Sequence, residues 1–188
     1  MQNDASITIK TRAGATLTAR RLALADGKAL QVFNAGLSIP SERYFRAHAY
    51  DDATVRKVLE RAEAGEDLTL GVFDGPLLVG YFFLWYFTEP VPLLGIGLLD
   101  AYHGTGVARQ MMDILIAEAK SAGKDGIELT TMQDNPRAYT LYEKCGFRYH
   151  GDVENLQGDG SIVIERAMFY PIKPGAQPPQ GAHAPPVR

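Results

Sequence analysis

The chain has 188 residues, 46% of them apolar and 22% charged, with a formal net charge of −3 and a pI near 5.8. That length fits one domain with a sizeable core, and the composition is that of an ordinary globular protein. The slight acidity excludes the basic balance on which nucleic-acid binding rests.

Cys145 is the single cysteine, so no disulfide can close within the chain. The four histidines are scattered, without the spacing of a metal site, and no metal is expected. This cysteine usage suits a reducing, cytoplasmic setting. The first ten residues carry no apolar run of the signal-peptide kind. The longest apolar stretch, Leu77 to Phe87, is too short to cross a bilayer, so no membrane is expected.

Ile7 to Lys10 and Thr16 to Leu22 read as a hairpin around Arg12-Ala13-Gly14-Ala15. Asp26 to Leu37 reads as a helix. Ser41 is expected to cap a second helix through His48, and Asp52 a third carrying Val55, Val58, Leu59 and Ala62. Leu68 to Phe73 and Leu77 to Phe87 follow as two strands around Asp74-Gly75-Pro76, and Leu93 to Leu99 as another. Val107 to Ser121 has the spacing of an amphipathic helix, with Gly123 beyond its end. Ile127 to Met132 is a strand. Asn135 caps a short helix with Pro136 in its first position, and Gly146 closes it. Phe147 to Val153 and Ser161 to Phe169 form a last strand pair joined through Gly158-Asp159-Gly160. Residues 1–170 are thus expected to form one domain. Six of the eleven prolines fall in residues 171–188, which read as a disordered tail.

The strand from Leu93 runs through Asp100-Ala101-Tyr102 into His103-Gly104-Thr105-Gly106-Val107-Ala108 and then a helix. A helix start offers unpaired N–H groups and a positive dipole end, and glycines keep side chains from screening them. The result is a phosphate cradle; the plain alternative is a glycine turn before a core helix. A Walker loop would end in Gly-Lys-Ser/Thr, and a dinucleotide fingerprint would place a third glycine where Arg109 stands. Asn135 and Tyr142 are seven residues apart, two helical turns, and share one face. There they can meet a cofactor arm and protonate a thiolate, or serve only as a cap and a core side chain.

The order strand, HGTGVA, helix, strand, then Asn135-Pro136-Arg137-Ala138-Tyr139-Thr140-Leu141-Tyr142-Glu143-Lys144-Cys145-Gly146-Phe147 resembles the GNAT N-acetyltransferase superfamily. The superfamily's loop reads Arg/Gln-x-x-Gly-x-Gly/Ala and its later signature Asn-x-x-Ala-x-x-Leu-Tyr-Glu-Lys-x-Gly-Phe. Every specified position of the second is present. Arg20-Arg21 and Leu37 to Tyr44 are also similar, more loosely, to acetyltransferase domains of the protein-lysine type.

The resemblance implies an α/β fold: a splayed, mostly antiparallel mixed sheet flanked by helices, with acetyl-CoA between the strands at Leu93–Leu99 and Ile127–Met132. It implies that backbone at Ile96, Gly97 and Leu98 pairs with pantetheine. Amides from Gly104, Thr105, Gly106, Val107, Ala108 and Arg109 would hold the pyrophosphate. Asn135 would meet the cofactor, and Tyr142 would be the general acid. The acceptor would be a primary amine on a small molecule, a peptide or a protein lysine, and a homodimer is common among relatives. His103 departs from the usual Arg or Gln, being shorter and mostly neutral at pH 7.

An amine must lose a proton before it attacks. The strand Leu93 to Leu99 has no carboxylate, leaving Glu89 before it and Asp100 at its end as the nearest candidate bases, unless a water chain or a substrate that arrives neutral removes the need. Cys145 lacks a base partner and reads as a buried residue. Alternation would send Tyr81, Phe83, Trp85 and Phe87 to one face and Phe82 and Tyr86 to the other, in a strand buried on both faces or lining an acceptor pocket. A non-catalytic acyl-CoA-binding module is the rival to an acetyltransferase, and a transferase of longer acyl chains a third reading.

Overall fold

A computed structural model describes residues 6–157, 160–180 and 185–187. The opening hairpin is β1 (Ile7–Lys10) and β2 (Thr16–Arg21). Gly14 in its turn has φ +90°, a region that favours glycine. A single 3-10 turn, Leu24–Asp26, leads into α1 (Gly27–Gly36). Asp26 accepts two hydrogen bonds from Arg20, at 2.8 and 2.7 Å, which ties this turn to β2.

Two helix starts differ from the sequence reading. Helix α2 (Ile39–Tyr44) is capped by Ser38, whose Oγ accepts from Ser41 N, and it ends four residues short of His48. Pro40 falls in the first turn, where its missing N–H costs no helical bond, so the helix can begin ahead of it with Ser38 as its cap. Helix α3 (Asp52–Glu63) is capped by Asp51 instead of Asp52, and Asp51 accepts from both Thr54 N and Thr54 Oγ. The cap must be extended and three residues before its donor, and Asp51 meets both conditions.

The remaining strands are β3 (Leu68–Asp74), β4 (Leu77–Trp85), β5 (Leu93–Leu98), β6 (Gly126–Met132), β7 (Arg148–Leu156) and β8 (Ile162–Pro171). Between them lie α4 (Val107–Ser121) and α5 (Pro136–Lys144). They form one sheet in the order β1-β2-β3-β4-β5-β6-β8-β7. Every pairing is antiparallel except β5 with β6. The fold is the expected α/β, mostly antiparallel sheet flanked by helices. Gly158 and Asp159, expected in the last connection, lie outside the described residues.

Two cores form, one on each face. Val107, Met111, Leu115 and Met112 of α4 pack with Phe82, Leu84, Ile127 and Leu129. Leu30 and Phe33 of α1 and Val55, Val58 and Leu59 of α3 pack with Tyr81, Phe83 and Trp85. Strand β4 is therefore buried on both faces, which explains its run of aromatics. The expected alternation fails after Trp85. Tyr86 has φ +56°, so Tyr86 joins the α1 side and Phe87 the α4 side. Buried Asp67 fixes this kink by accepting from Tyr86 N at 2.8 Å and from Arg61 Nε at 2.7 Å.

After Pro171 the described residues form no helix or strand. Ile172 N and Lys173 N both donate to Asp125 O at 2.9 Å, and Val187 is buried in the α1-side core. The tail is thus held against the domain at two places, because an apolar side chain near its end finds a site there.

Candidate functional site

Strands β5 and β6 pair only at Leu93 with Glu128. Two backbone bonds hold the strands together at that end, Asp125 N to Pro90 O at 2.8 Å and Glu128 N to Pro92 O at 3.1 Å. Beyond Leu93 each strand keeps only its outer neighbour: β4 follows β5 to Leu98, and β8 follows β6 to Met132. The sheet splays there around a cavity of about 310 Å³. Leu94 to Leu98 line one wall, Thr130 and Thr131 the other. Gly95 and Gly97 are needed for space. A Cβ on Gly97 would stand 2.4 Å from the Phe45 ring, and one on Gly95 2.1 Å from Phe83.

The open end of the wedge meets the start of α4. Gly104 and Gly106 have φ +74° and +87°, and Gly106 caps the helix without any side chain. The first-turn N–H groups are therefore left for a ligand. Gly104, Gly106, Ala108 and Arg109 line the cavity. Thr105 and Val107 turn their side chains away, Thr105 Oγ donating to Tyr102 O at 2.6 Å and Val107 buried in the core, so only their backbone can contribute.

His103 lines the cavity, with both ring nitrogens engaged by protein. Arg137 donates to Nδ1 at 3.0 Å, which makes Nε2 the protonated nitrogen, donating to Leu98 O at 2.9 Å. His103 thus braces the turn and holds Arg137 in place.

Arg12, which the sequence reading missed, arrives from the β1–β2 hairpin. Its N donates to Thr105 O at 2.8 Å and its guanidinium to Gly104 O at 3.1 Å. Arg12, Arg109 and Arg137 together give this end of the cavity three guanidinium groups. Arg109 is partly neutralised by Asp113 at 3.0 Å. Nothing in the hairpin sequence signals that Arg12 lies beside a turn 92 residues away.

Helix α5 supplies the inner end. Asn135 and Tyr142 line the same cavity, as their spacing implies. Asn135 Oδ1 is used in capping, accepting from Ala138 N at 3.2 Å. Tyr142 is 8% exposed, and its hydroxyl has no partner among the described residues. Burial, then the nearby Glu165 carboxylate, push its pKa well up, so the phenol stays protonated. Burial likewise raises the Cys145 thiol, with Arg109 opposing. A protonated, buried thiol is a poor nucleophile.

Neither candidate base lines the cavity. Glu89 is exposed in the β4–β5 connection, its N bonded to Tyr86 O. Asp100 accepts from Ser41 Oγ at 2.5 Å, and this bond, with one from Ser38, holds its carboxyl below the usual range. A stabilised carboxylate on the rim is a weak base for work inside.

Helix α2 roofs the wedge through Ser41, Tyr44 and Phe45. Tyr44 hydroxyl donates to Asp134 O at 3.1 Å, and Arg43 pairs with the Asp134 carboxylate at 2.7 Å. The whole is a groove with a cationic, amide-rich end, apolar walls and one buried phenol. It suits a ligand with phosphate at one end and a reactive group at the other. Among the described residues no cluster of metal-ligating side chains occurs, and no helix is long and apolar enough to cross a membrane.

Known proteins resemble this chain in sequence and in fold. The chain is 39% identical over 61 residues to the uncharacterized N-acetyltransferase Rv2669 of Mycobacterium tuberculosis, a match spanning 32% of this chain and 39% of that protein. It is 32% identical over 90 residues to the uncharacterized N-acetyltransferase YvbK of Bacillus subtilis, covering 47% of this chain and 57% of the other. These curated relatives are thus matched over roughly half their length or less. The fold is that of Mycobacterium smegmatis RimJ in complex with CoA-disulfide. The TM-score is 0.75 at 16% identity, covering 92% of this chain and 89% of that one. The acetyltransferase (GNAT) family model matches residues 34–147, from α1 through α5, and the chain belongs to that family.

Proposed function

We propose that this protein transfers an acetyl group from acetyl-CoA to a primary amine by direct attack. The observation that carries the reading is the wedge itself, with a bare helix start and guanidinium groups at one end and the Tyr142 phenol within. The donor set fits the cosubstrate: amides and guanidinium groups suit phosphates, and the free inner edge of β5 suits an amide-bearing arm. The backbone of Ile96, Gly97 and Leu98 would pair with that arm, beside the Asn135 amide. Amides of Gly104 to Arg109, with Arg12 and Arg137, would hold the pyrophosphate.

Acetyl-CoA supplies, when bound, a thioester carbon open to attack. The chain's own part is to orient and to move protons. The roof from α2 excludes water, and Tyr142, protonated at neutral pH, donates its proton toward the departing sulfur. A reducing, cytoplasmic setting belongs to the same reading.

Calorimetric titration with acetyl-CoA, followed by thiol release over a panel of amines, tests it. Binding with amine-dependent release is expected. Absence of binding would remove the reading. The engaged His103 ring and the position of Glu89 and Asp100 outside the cavity lining favour a second reading, an acyl-CoA-binding module without turnover. Binding with no release on any amine would select it.

A further inference from the structure

A second cavity, of about 90 Å³, adjoins the wedge at the Leu93 end, away from the α4 turn. The two share Tyr44, Phe45, Leu94, Gly95 and Thr130. Phe83, Trp85, Leu93 and Leu156 give it apolar walls, and one carboxylate, Glu165 of β8, lines it at 5% exposure. Asn155 Nδ2 donates to Glu165 Oε2 at 2.7 Å, and Gln157 Nε2 donates to Oε1 at 3.1 Å. Asn155 is itself steadied by Thr130 Oγ at 3.0 Å.

Both donors are neutral amides, and among the described residues no Lys or Arg forms an ion pair with Glu165. Arg46 lines the cavity and is bonded to Glu42 at 2.6 Å. An ionised carboxylate has about four acceptor sites, and two are filled here. A buried carboxylate without a cation is unfavourable, and a cation entering the cavity would correct that. Glu165 also acts on the Tyr142 phenol, which places it near the group proposed to serve the thioester.

We propose that Glu165 is the acceptor's docking group: a buried carboxylate that binds a primary alkylammonium and takes its proton. This rests on the acetyl-transfer reading for its use, though not for the binding itself. The ammonium nitrogen gives one proton to a Glu165 oxygen and keeps the electron pair of that N–H bond. The nitrogen becomes a neutral nucleophile, and Glu165 becomes a carboxylic acid that returns the proton to solvent. At about 90 Å³ the cavity suits a small aminoalkyl head, with Phe83, Trp85, Leu93 and Leu156 beside its carbons. A free alkylamine and a lysine side chain share this chemistry.

The test titrates the full chain with n-butylammonium chloride, using 1-butanol as the uncharged control. Saturable binding of butylammonium and none of butanol is expected. Glu165→Gln should bind butylammonium at least tenfold more weakly while its acetyl-CoA affinity stays within twofold. Its amine-dependent thiol release should fall by roughly 100-fold or more, the usual reach of a proton-accepting group. Glu165→Asp, which keeps the charge one methylene further back, should retain part of both.

A readout in the wild type guards against a variant that fails to fold: the 13C carboxyl resonance of Glu165 should shift as butylammonium saturates. Running n-butylamine beside Nα-acetyl-lysine N-methylamide separates the free amine from the lysine side chain, and Glu165→Gln should impair whichever reacts. Butylammonium binding unchanged in Glu165→Gln, or an unmoved Glu165 resonance at saturation, would overturn the proposal. If the wild type bound no acetyl-CoA, the transfer reading would fail alone, and the butylammonium titration would still decide the role of Glu165.

Discussion

Gly97→Ala is the sharpest probe of how the wedge is built. A Cβ at this position would stand 2.4 Å from the Phe45 ring, whereas ordinary contact begins at 3.4 Å, so the ring must retreat by about 1 Å. On its core side Phe45 has little room to do so, and the way left open is toward the cavity it lines. Its centroid lies 5.7 Å from Tyr81, 6.3 Å from Phe83 and 6.4 Å from Phe33, and its carbonyl accepts from the Tyr50 hydroxyl at 2.8 Å. Overpacking a filled site of this kind costs about 1–3 kcal/mol. For a chain of this length that lowers Tm by roughly 2–12 °C. Urea unfolding of Gly97→Ala should show a lower midpoint with an unchanged slope. In a Phe45→Leu background the added methyl meets a smaller, more flexible side chain, so the penalty should drop by at least about 1 kcal/mol, a coupling expected of residues in contact. The displaced ring also intrudes on the wedge, so acetyl-CoA affinity should fall in Gly97→Ala and recover in the double variant. Equal penalties in both backgrounds would refute the packing described for Phe45 over β5.

Tyr142→Phe should reduce turnover by roughly 100-fold while leaving acetyl-CoA affinity within about twofold, since only a proton donor is lost; unchanged turnover in steady-state thiol release would remove Tyr142 from the chemistry. Arg12→Ala should weaken acetyl-CoA binding by roughly tenfold, the scale of one charge-assisted hydrogen bond, and flatten its salt dependence in calorimetry. The Arg20 guanidinium, hydrogen-bonded to Asp26, holds its carboxyl below the usual carboxylate range. A depressed acid stabilises the fold above its unfolded pKa and loses that contribution as pH falls through the folded one. Stability should therefore drop as pH falls below about 4, and Asp26→Asn should lose part of that acid dependence in urea midpoints taken at pH 7 and pH 3.

The sequence is legible where the structure is local. The helices at Val107–Ser121 and Pro136–Lys144 start and stop almost where spacing and capping say they should, because both signals act within a few residues. The true caps at Ser38 and Asp51 were also within reach: Pro40 fits the first turn of a helix capped by Ser38, and the Thr54 donor lies three residues from Asp51. The swap of Tyr86 and Phe87 was not, since the kink depends on Asp67, which lies 19 residues away across the β3–β4 hairpin.

The same division runs through the site. Its α4 end comes from one continuous stretch, Leu94 to Arg109, and its phenol from the next helix, so two motifs reveal both. The charge that completes that end, Arg12, comes from the first hairpin, where only sheet topology brings it near. The second cavity draws on the end of α2, on β4, β5, β6 and the β7–β8 hairpin. Glu165 in sequence is one acid in an alternating strand, indistinguishable from Glu154. Burial at 5% and the converging amides of Asn155 and Gln157 give it a different meaning. The role proposed for Glu165 draws on a longer stretch of chain than the neighbourhood of β5 where Glu89 and Asp100 stand as candidates: the splay that opens β5 leaves its inner flank to β6 and β8, and Glu165 of β8 lines the cavity there without any sequence neighbour in the motif.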